Sequence, residues 1–67
     1  MIEAKVMCND WDLKQYKFPE QYPVCPRKGD YICPIGLFEE SNYVVVDYVV
    51  FVEYEGETRI RIFVSKI

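Results

Sequence analysis

The chain has 67 residues, a net charge of −3 and a hydrophobic fraction of 51%, which is apolar material for one core and excludes both a second domain and a disordered chain. A pI near 4.8 works against a broad phosphate-neutralising or membrane-surface role, because affinity of that kind rests first on clustered cations. The most apolar segment, Tyr43 to Val52, is broken by Asp47 and falls short of the ~20 residues of a spanning helix.

The chain opens with Ile2, Ala4, Val6 and Cys8 alternating with Glu3, Lys5 and Met7, the period-two pattern of a strand with one buried face. The start Met1 to Lys5 lacks the basic and then apolar segments of a signal peptide, so a cytoplasmic location is expected. Asn9-Asp10 supplies turn chemistry. Trp11 and Leu13 share one parity and Tyr16 and Phe18 the other, so a second strand is expected there only with a bulge or with pairing that begins near Leu13. Pro19, Pro23 and Pro26 each remove a backbone donor, and residues 19–26 are expected to run as an extended loop.

Arg27-Lys28-Gly29-Asp30 reads as a turn leading into a short third strand, Tyr31-Ile32-Cys33, which Pro34 and Gly36 end. A brief helical turn at Leu37 to Glu40 is a minor alternative, and Ser41-Asn42 marks another turn. Tyr43 to Glu53 and Thr58 to Val64 are rich in β-branched and aromatic residues and form a hairpin signal. Two registers compete. A two-residue turn at Glu55-Gly56 pairs Val52 with Arg59 and Val50 with Arg61. A three-residue loop, Tyr54-Glu55-Gly56, pairs Val52 with Thr58, Val50 with Ile60, Tyr48 with Ile62 and Val46 with Val64. The second gives one continuous apolar face and is the expected one; it leaves Phe51 near Arg59 and Val49 near Arg61 on the other face. The fold class expected is all-β, a small five-stranded antiparallel barrel or strongly curled sheet in one domain, residues 1–67.

The connection with its prolines, the run Pro26-Arg27-Lys28-Gly29-Asp30-Tyr31-Ile32 entering a short strand, and the long final hairpin together resemble a small Src-homology-three-like barrel, of a kind also met in short phage and mobile-element proteins. The resemblance covers about half the chain and implies a barrel. It does not carry over peptide recognition, because Asp47-Tyr48 lies inside an apolar strand where a specificity loop is not expected. An oligonucleotide-binding type of barrel or a simple curled sheet fits the same elements.

The chemistry-bearing residues are few. Histidine is absent and cysteines number three, Cys8, Cys25 and Cys33. The odd count argues against a disulfide framework and fits a reducing compartment; a Cys25 to Cys33 bridge stays open only for an oxidising one. Without histidine or a Cys-x-x-Cys pair, neither a metal site nor a cofactor is expected, and the cysteines read as small hydrophobes. Only Ser41 and Ser65 could serve as serine nucleophiles, neither with a patterned base, and Glu39-Glu40 reads as a solvated tip, so no enzyme is expected.

The leading expectation is a non-catalytic protein-interaction or adaptor module. The aromatics, 16% of the chain, exceed what one small core hides, and surface Tyr and Trp offer contact area at little entropic cost. Trp11, Tyr16, Tyr22 and Tyr31 flank loops and are the candidate contact residues, with Asp12, Glu39 and Glu40 as a polar rim; the competing structural reading has the same aromatics capping the core. Three alternatives stay open. One is a homodimer or structural self-assembly through the edge of Tyr43 to Tyr54. The second is a small barrel for single-stranded nucleic acid using Lys14, Lys17, Arg27, Lys28, Arg59 and Arg61, a set more simply read as solubilising charge. The third is an acidic inhibitor that imitates nucleic acid.

Overall fold

A computed structural model describes residues 1–8 and 13–67. Its elements are β1 (Ile2–Cys8), β2 (Gln21–Tyr22), β3 (Tyr31–Ile32), a 3-10 turn (Glu40–Asn42), β4 (Val44–Tyr54) and β5 (Glu57–Lys66). They make one five-stranded curled sheet in the order β2-β1-β5-β4-β3. The sheet is mixed rather than antiparallel throughout, since β1 runs parallel to β5, from Ala4 beside Ile60 to Cys8 beside Val64. Among the described residues no helix is long and apolar enough to cross a membrane.

The period of two explains which face is buried. Cross-strand neighbours share a face, so the pairs Val6 with Ile62 and Ile62 with Val49 put those three side chains in one row, and Cys8, Val64 and Val46 in the next. Ala4, Val44, Val46, Ile62 and Val64 are buried on this face, and Ile32, Tyr22 and Leu13 close over it from the loops and short strands. Leu13, only 2% exposed, lies outside any strand. The backbone amide of Tyr16 donates to the carbonyl of Leu13 (3.0 Å), a single tight turn. The strand expected from Trp11 to Phe18 is therefore replaced, over its described part, by a turn that drives Leu13 into the core; the turn expected at Asn9-Asp10 lies outside the described residues.

Two more expectations need correction. The proline-bearing connection is not loop throughout, because Gln21 and Tyr22 pair antiparallel with Glu3 and Ile2. Pro19 and Pro23 bracket these two residues without occupying them, so the missing donors do not interrupt the short ladder. The helical turn lies at Glu40–Asn42, where the Ser41-Asn42 pair suggests only a simple turn. The turn Arg27 to Asp30 forms as expected: the Asp30 amide donates to the Arg27 carbonyl (3.0 Å) and the Arg27 amide to Asp30 Oδ2 (2.8 Å).

The hairpin register departs from expectation over half its length. Glu55 and Gly56 both have positive φ, 51° and 81°, the pattern of a two-residue type I′ turn. The pairs that follow are Tyr54 with Glu57, Val52 with Arg59, Phe51 with Ile60 and Val50 with Arg61. Phe51 and Val49 thus lie on the core side, and Val52 and Val50 are the neighbours of Arg59 and Arg61. Val46 does pair with Val64 as expected, because the ladder shifts by one between Val46 and Tyr48. Asp47 is the extra residue of this bulge. Its Oδ1 accepts a hydrogen bond from Ser65 Oγ (3.0 Å), which holds the carboxylate off the core. A bulge increases local twist, and this one sits where the hairpin leaves the core. At roughly 3.3 Å per residue the eleven residues of β4 span about 36 Å, so the hairpin sets the molecule's long dimension of 38 Å.

Candidate functional site

The face of the sheet opposite the core carries the most organised surface among the described residues. With Val46 turned inward and the bulge at Asp47, the outward set on β4 is Val45, Tyr48, Val50, Val52 and Tyr54. β5 contributes Phe63, Arg61 and Arg59 opposite them, β1 adds Met7 beside Phe63 and Lys5 beside Arg61, and β3 adds Tyr31 beside Val45. The sequence places these residues together by parity alone, and no described segment covers them.

Within this face the rings of Tyr48 and Phe63 stack, centroids 4.6 Å apart and planes 13° from parallel. The guanidinium carbon of Arg59 lies 5.0 Å from the centroid of the Tyr54 ring, within cation–π range. One guanidinium nitrogen of Arg61 lies 3.9 Å from the Met7 sulfur. Tyr31 and Tyr48 stay 64% and 53% exposed. Lys5 and Arg61 are direct neighbours across the parallel pair, an arrangement of like charges that is destabilising by itself and that an incoming carboxylate relieves. Chemically the face offers a flat aromatic stack, aliphatic β-branched side chains and three cations, Lys5, Arg61 and Arg59, with the carboxylates of Glu3 and Glu57 at the end nearest the hairpin turn.

A second feature is a cleft of about 580 Å³ between β1 and the segment from Tyr16 to Glu20, with Lys5, Val6, Tyr16, Phe18 and Ile35 among its walls. Where β1 and β5 part, a more polar depression of about 410 Å³ is lined by Glu3, Glu20, Glu57 and Arg59 among others.

The residues singled out from the sequence scatter over these features. Tyr31 lies on the outer face. Tyr16 is half-buried, packs against the core, and donates its hydroxyl to Asn42 Oδ1 (3.4 Å), tying the cleft wall to the 3-10 turn. Tyr22 is a core residue, 9% exposed, and its hydroxyl donates to the Pro19 carbonyl (2.6 Å); burial, and then the charge of Glu20, raise its pKa above the ordinary phenol value of 10.0. Glu39 and Glu40 are exposed at the start of the 3-10 turn. Trp11 and Asp12 lie outside the described residues. Cys8, Cys25 and Cys33 are half-buried, and Cys33 Sγ lies 3.2 Å from the Leu37 carbonyl and 3.3 Å from that of Pro34.

Sequence reasoning did not single out the Tyr48–Phe63 stack or Tyr54, and the favoured register put Tyr48 on the core face. The usable signal was the Glu-Gly pair at 55–56, a place where a two-residue turn fixes parity for both strands. No family model, curated protein or solved structure matches this chain.

Proposed function

We propose that the protein is a non-catalytic interaction module that binds an acidic, partly apolar segment of a protein partner on the outer face of its sheet. The observation that carries this reading is the row Lys5, Arg61 and Arg59 running beside Val50, Val52 and the Tyr48–Phe63 stack. Tyr and Arg are among the side chains enriched at binding hot spots, and the crowded Lys5–Arg61 pair gives a carboxylate a favourable place to land. The sheet presents these groups from regular strands, so little order has to be imposed on binding.

The aromatic stack beside three cations also supports the alternative reading as a single-stranded nucleic-acid binder. The net charge of −3 weighs against it, because phosphate-backbone affinity rests on many clustered cations, whereas a short acidic segment needs only the Lys5–Arg61 pair. The experiment is amide and methyl chemical-shift mapping with two probes at low salt, a peptide of alternating aspartate and leucine and a short oligothymidylate. Shifts confined to Lys5, Tyr48, Val50, Arg59, Arg61 and Phe63 with the peptide support the proposal, and a stronger response to the oligonucleotide replaces it. Shifts that instead follow Val6, Tyr16 and Phe18 move the site to the cleft and refute it.

A further inference from the structure

The edge of β4, as distinct from its outer face, leads to a separate inference. Among the described residues β3 pairs with β4 only at Val44 and Val45, and the backbone of Val46 is taken by Gly29 (2.9 Å) and Asp30 (2.8 Å). From Asp47 to Tyr54 this side of β4 has no neighbour among the described residues. Its guards are the bulge at Asp47 and the charge of Glu53 near its two ends; between them it carries no proline and no lysine, and Phe51 at its middle is 63% exposed.

Alternation fixes what that edge offers. The pair flanking a two-residue turn exchanges both its hydrogen bonds, and the bonded pairs then alternate along the ladder. Tyr54, Val52 and Val50 therefore spend their backbone groups on β5, while Glu53, Phe51 and Val49 aim theirs outward. We infer that β4 pairs antiparallel with β4 of a second copy of this chain across a two-fold axis at Phe51.

This register uses every outward group of the stretch: Phe51 bonds to Phe51 of the other copy, and Val49 and Glu53 bond to each other's counterparts. A shift of the axis to Val50 sets Tyr54 against Val46, whose backbone is already held by Gly29 and Asp30. The axis at Phe51 instead centres the free stretch Tyr48 to Tyr54 and sets Glu55 against Asp47, whose carboxylate is bonded to Ser65. With the axis at Phe51, Val50 faces Val52 and Tyr48 faces Tyr54, which continues the aromatic row of the outer face from one copy to the next. The same register brings Glu55, at the tip of the other copy's hairpin, up to the Arg27-Lys28 turn that sits beside Val46, where the carboxylate of Asp30 is already taken by the Arg27 amide. That contact occurs twice across the axis, and it is the charge complementarity that selects a second copy over a foreign strand.

The test is sedimentation across a concentration series together with a charge-swap mixture. The wild-type chain is expected to reach twice its 8.0 kDa mass, and Phe51→Lys, which places two cations side by side at the axis, weakens association at least about tenfold. Circular dichroism checks that the variant is folded. Lys28→Glu and Glu55→Lys each set like charges at both tip contacts and weaken the homodimer, whereas a mixture of the two chains makes both contacts attractive and forms the heterodimer preferentially. A wild-type chain that stays monomeric at every concentration, a dimer indifferent to Phe51→Lys, or a mixture without preference for the heterodimer overturns the inference. None of these readouts involves the acidic peptide, so this inference and the proposed function fail separately.

Discussion

Replacing Glu55 by asparagine is expected to stabilise the fold, and the size of the gain follows from one dihedral angle. Glu55 sits at φ 51°, where a residue with an ordinary Cβ carries a cost of roughly 1–2 kcal/mol that asparagine, with its short side chain bonding locally, largely avoids. Glu55→Asn should therefore recover about 1 kcal/mol. A domain of this size has a total stability of about 3–10 kcal/mol, so the change is measurable: the thermal midpoint rises by about 4–8 °C. Gly56→Ala is the mirror experiment. No atom lies within 4 Å of where its Cβ would stand, so its expected loss of about 1 kcal/mol is conformational and owes nothing to a clash. Urea and thermal unfolding followed by circular dichroism read both variants, at one protein concentration because association of copies adds its own stabilisation. In a three-residue loop only Gly56 has positive φ, and asparagine at position 55 then changes little. A neutral Glu55→Asn beside a destabilising Gly56→Ala refutes the two-residue turn, and with it the faces assigned to Tyr48 through Tyr54.

Ile62 is fully buried between Val6 and Val49, and Ile62→Ala is expected to cost about 2–5 kcal/mol, leaving a chain that unfolds far below the wild-type midpoint in a thermal scan. Tyr22→Phe removes the donor to the Pro19 carbonyl and costs about 1 kcal/mol at neutral pH. Because the folded Tyr22 phenol titrates above its unfolded value of 10.0, the wild type keeps its full stability below that pH and loses it as the pH rises through the folded pKa; urea midpoints between pH 8 and 11 should show this slope in the wild type and lack its Tyr22 component in the variant. Deleting Asp47 joins Val46 to Tyr48 with every other pair in phase, so the shortened chain should fold with a straighter hairpin. Deleting Val49 instead puts the strand out of phase and should leave a poorly dispersed amide spectrum; equal behaviour of the two deletions contradicts the bulge.

The sequence made some elements legible and hid others for identifiable reasons. Alternation alone located β1 and its buried face, and the short strand at Tyr31-Ile32 was announced by the Gly-Asp turn before it. The final hairpin was visible from β-branched density, yet its register was not, because Val49 through Val52 are apolar at every position and satisfy either parity. The bulge at Asp47 concealed the answer further, since it restores the Val46–Val64 pair that the other register also contains. The parallel neighbour of β1 left no local trace; pairing over that separation depends on the whole fold. Of the candidate contact residues, Tyr31 reaches the outer face while Tyr22 closes the core, a difference decided by which pairing partner each has and not by composition.

The position of β1 beside β5 has a consequence for how the molecule comes into being. Ala4 leaves the ribosome well before its neighbour Ile60, so the early ribbon waits, half-greasy and unpaired, until the hairpin that will shelter it has been made. The hairpin closes through neighbouring residues and can form quickly, whereas admission of β1 is the long-range and slower event. During that interval the nascent chain exposes an alternating apolar face, so a slow final docking step prolongs the period in which the chain can aggregate.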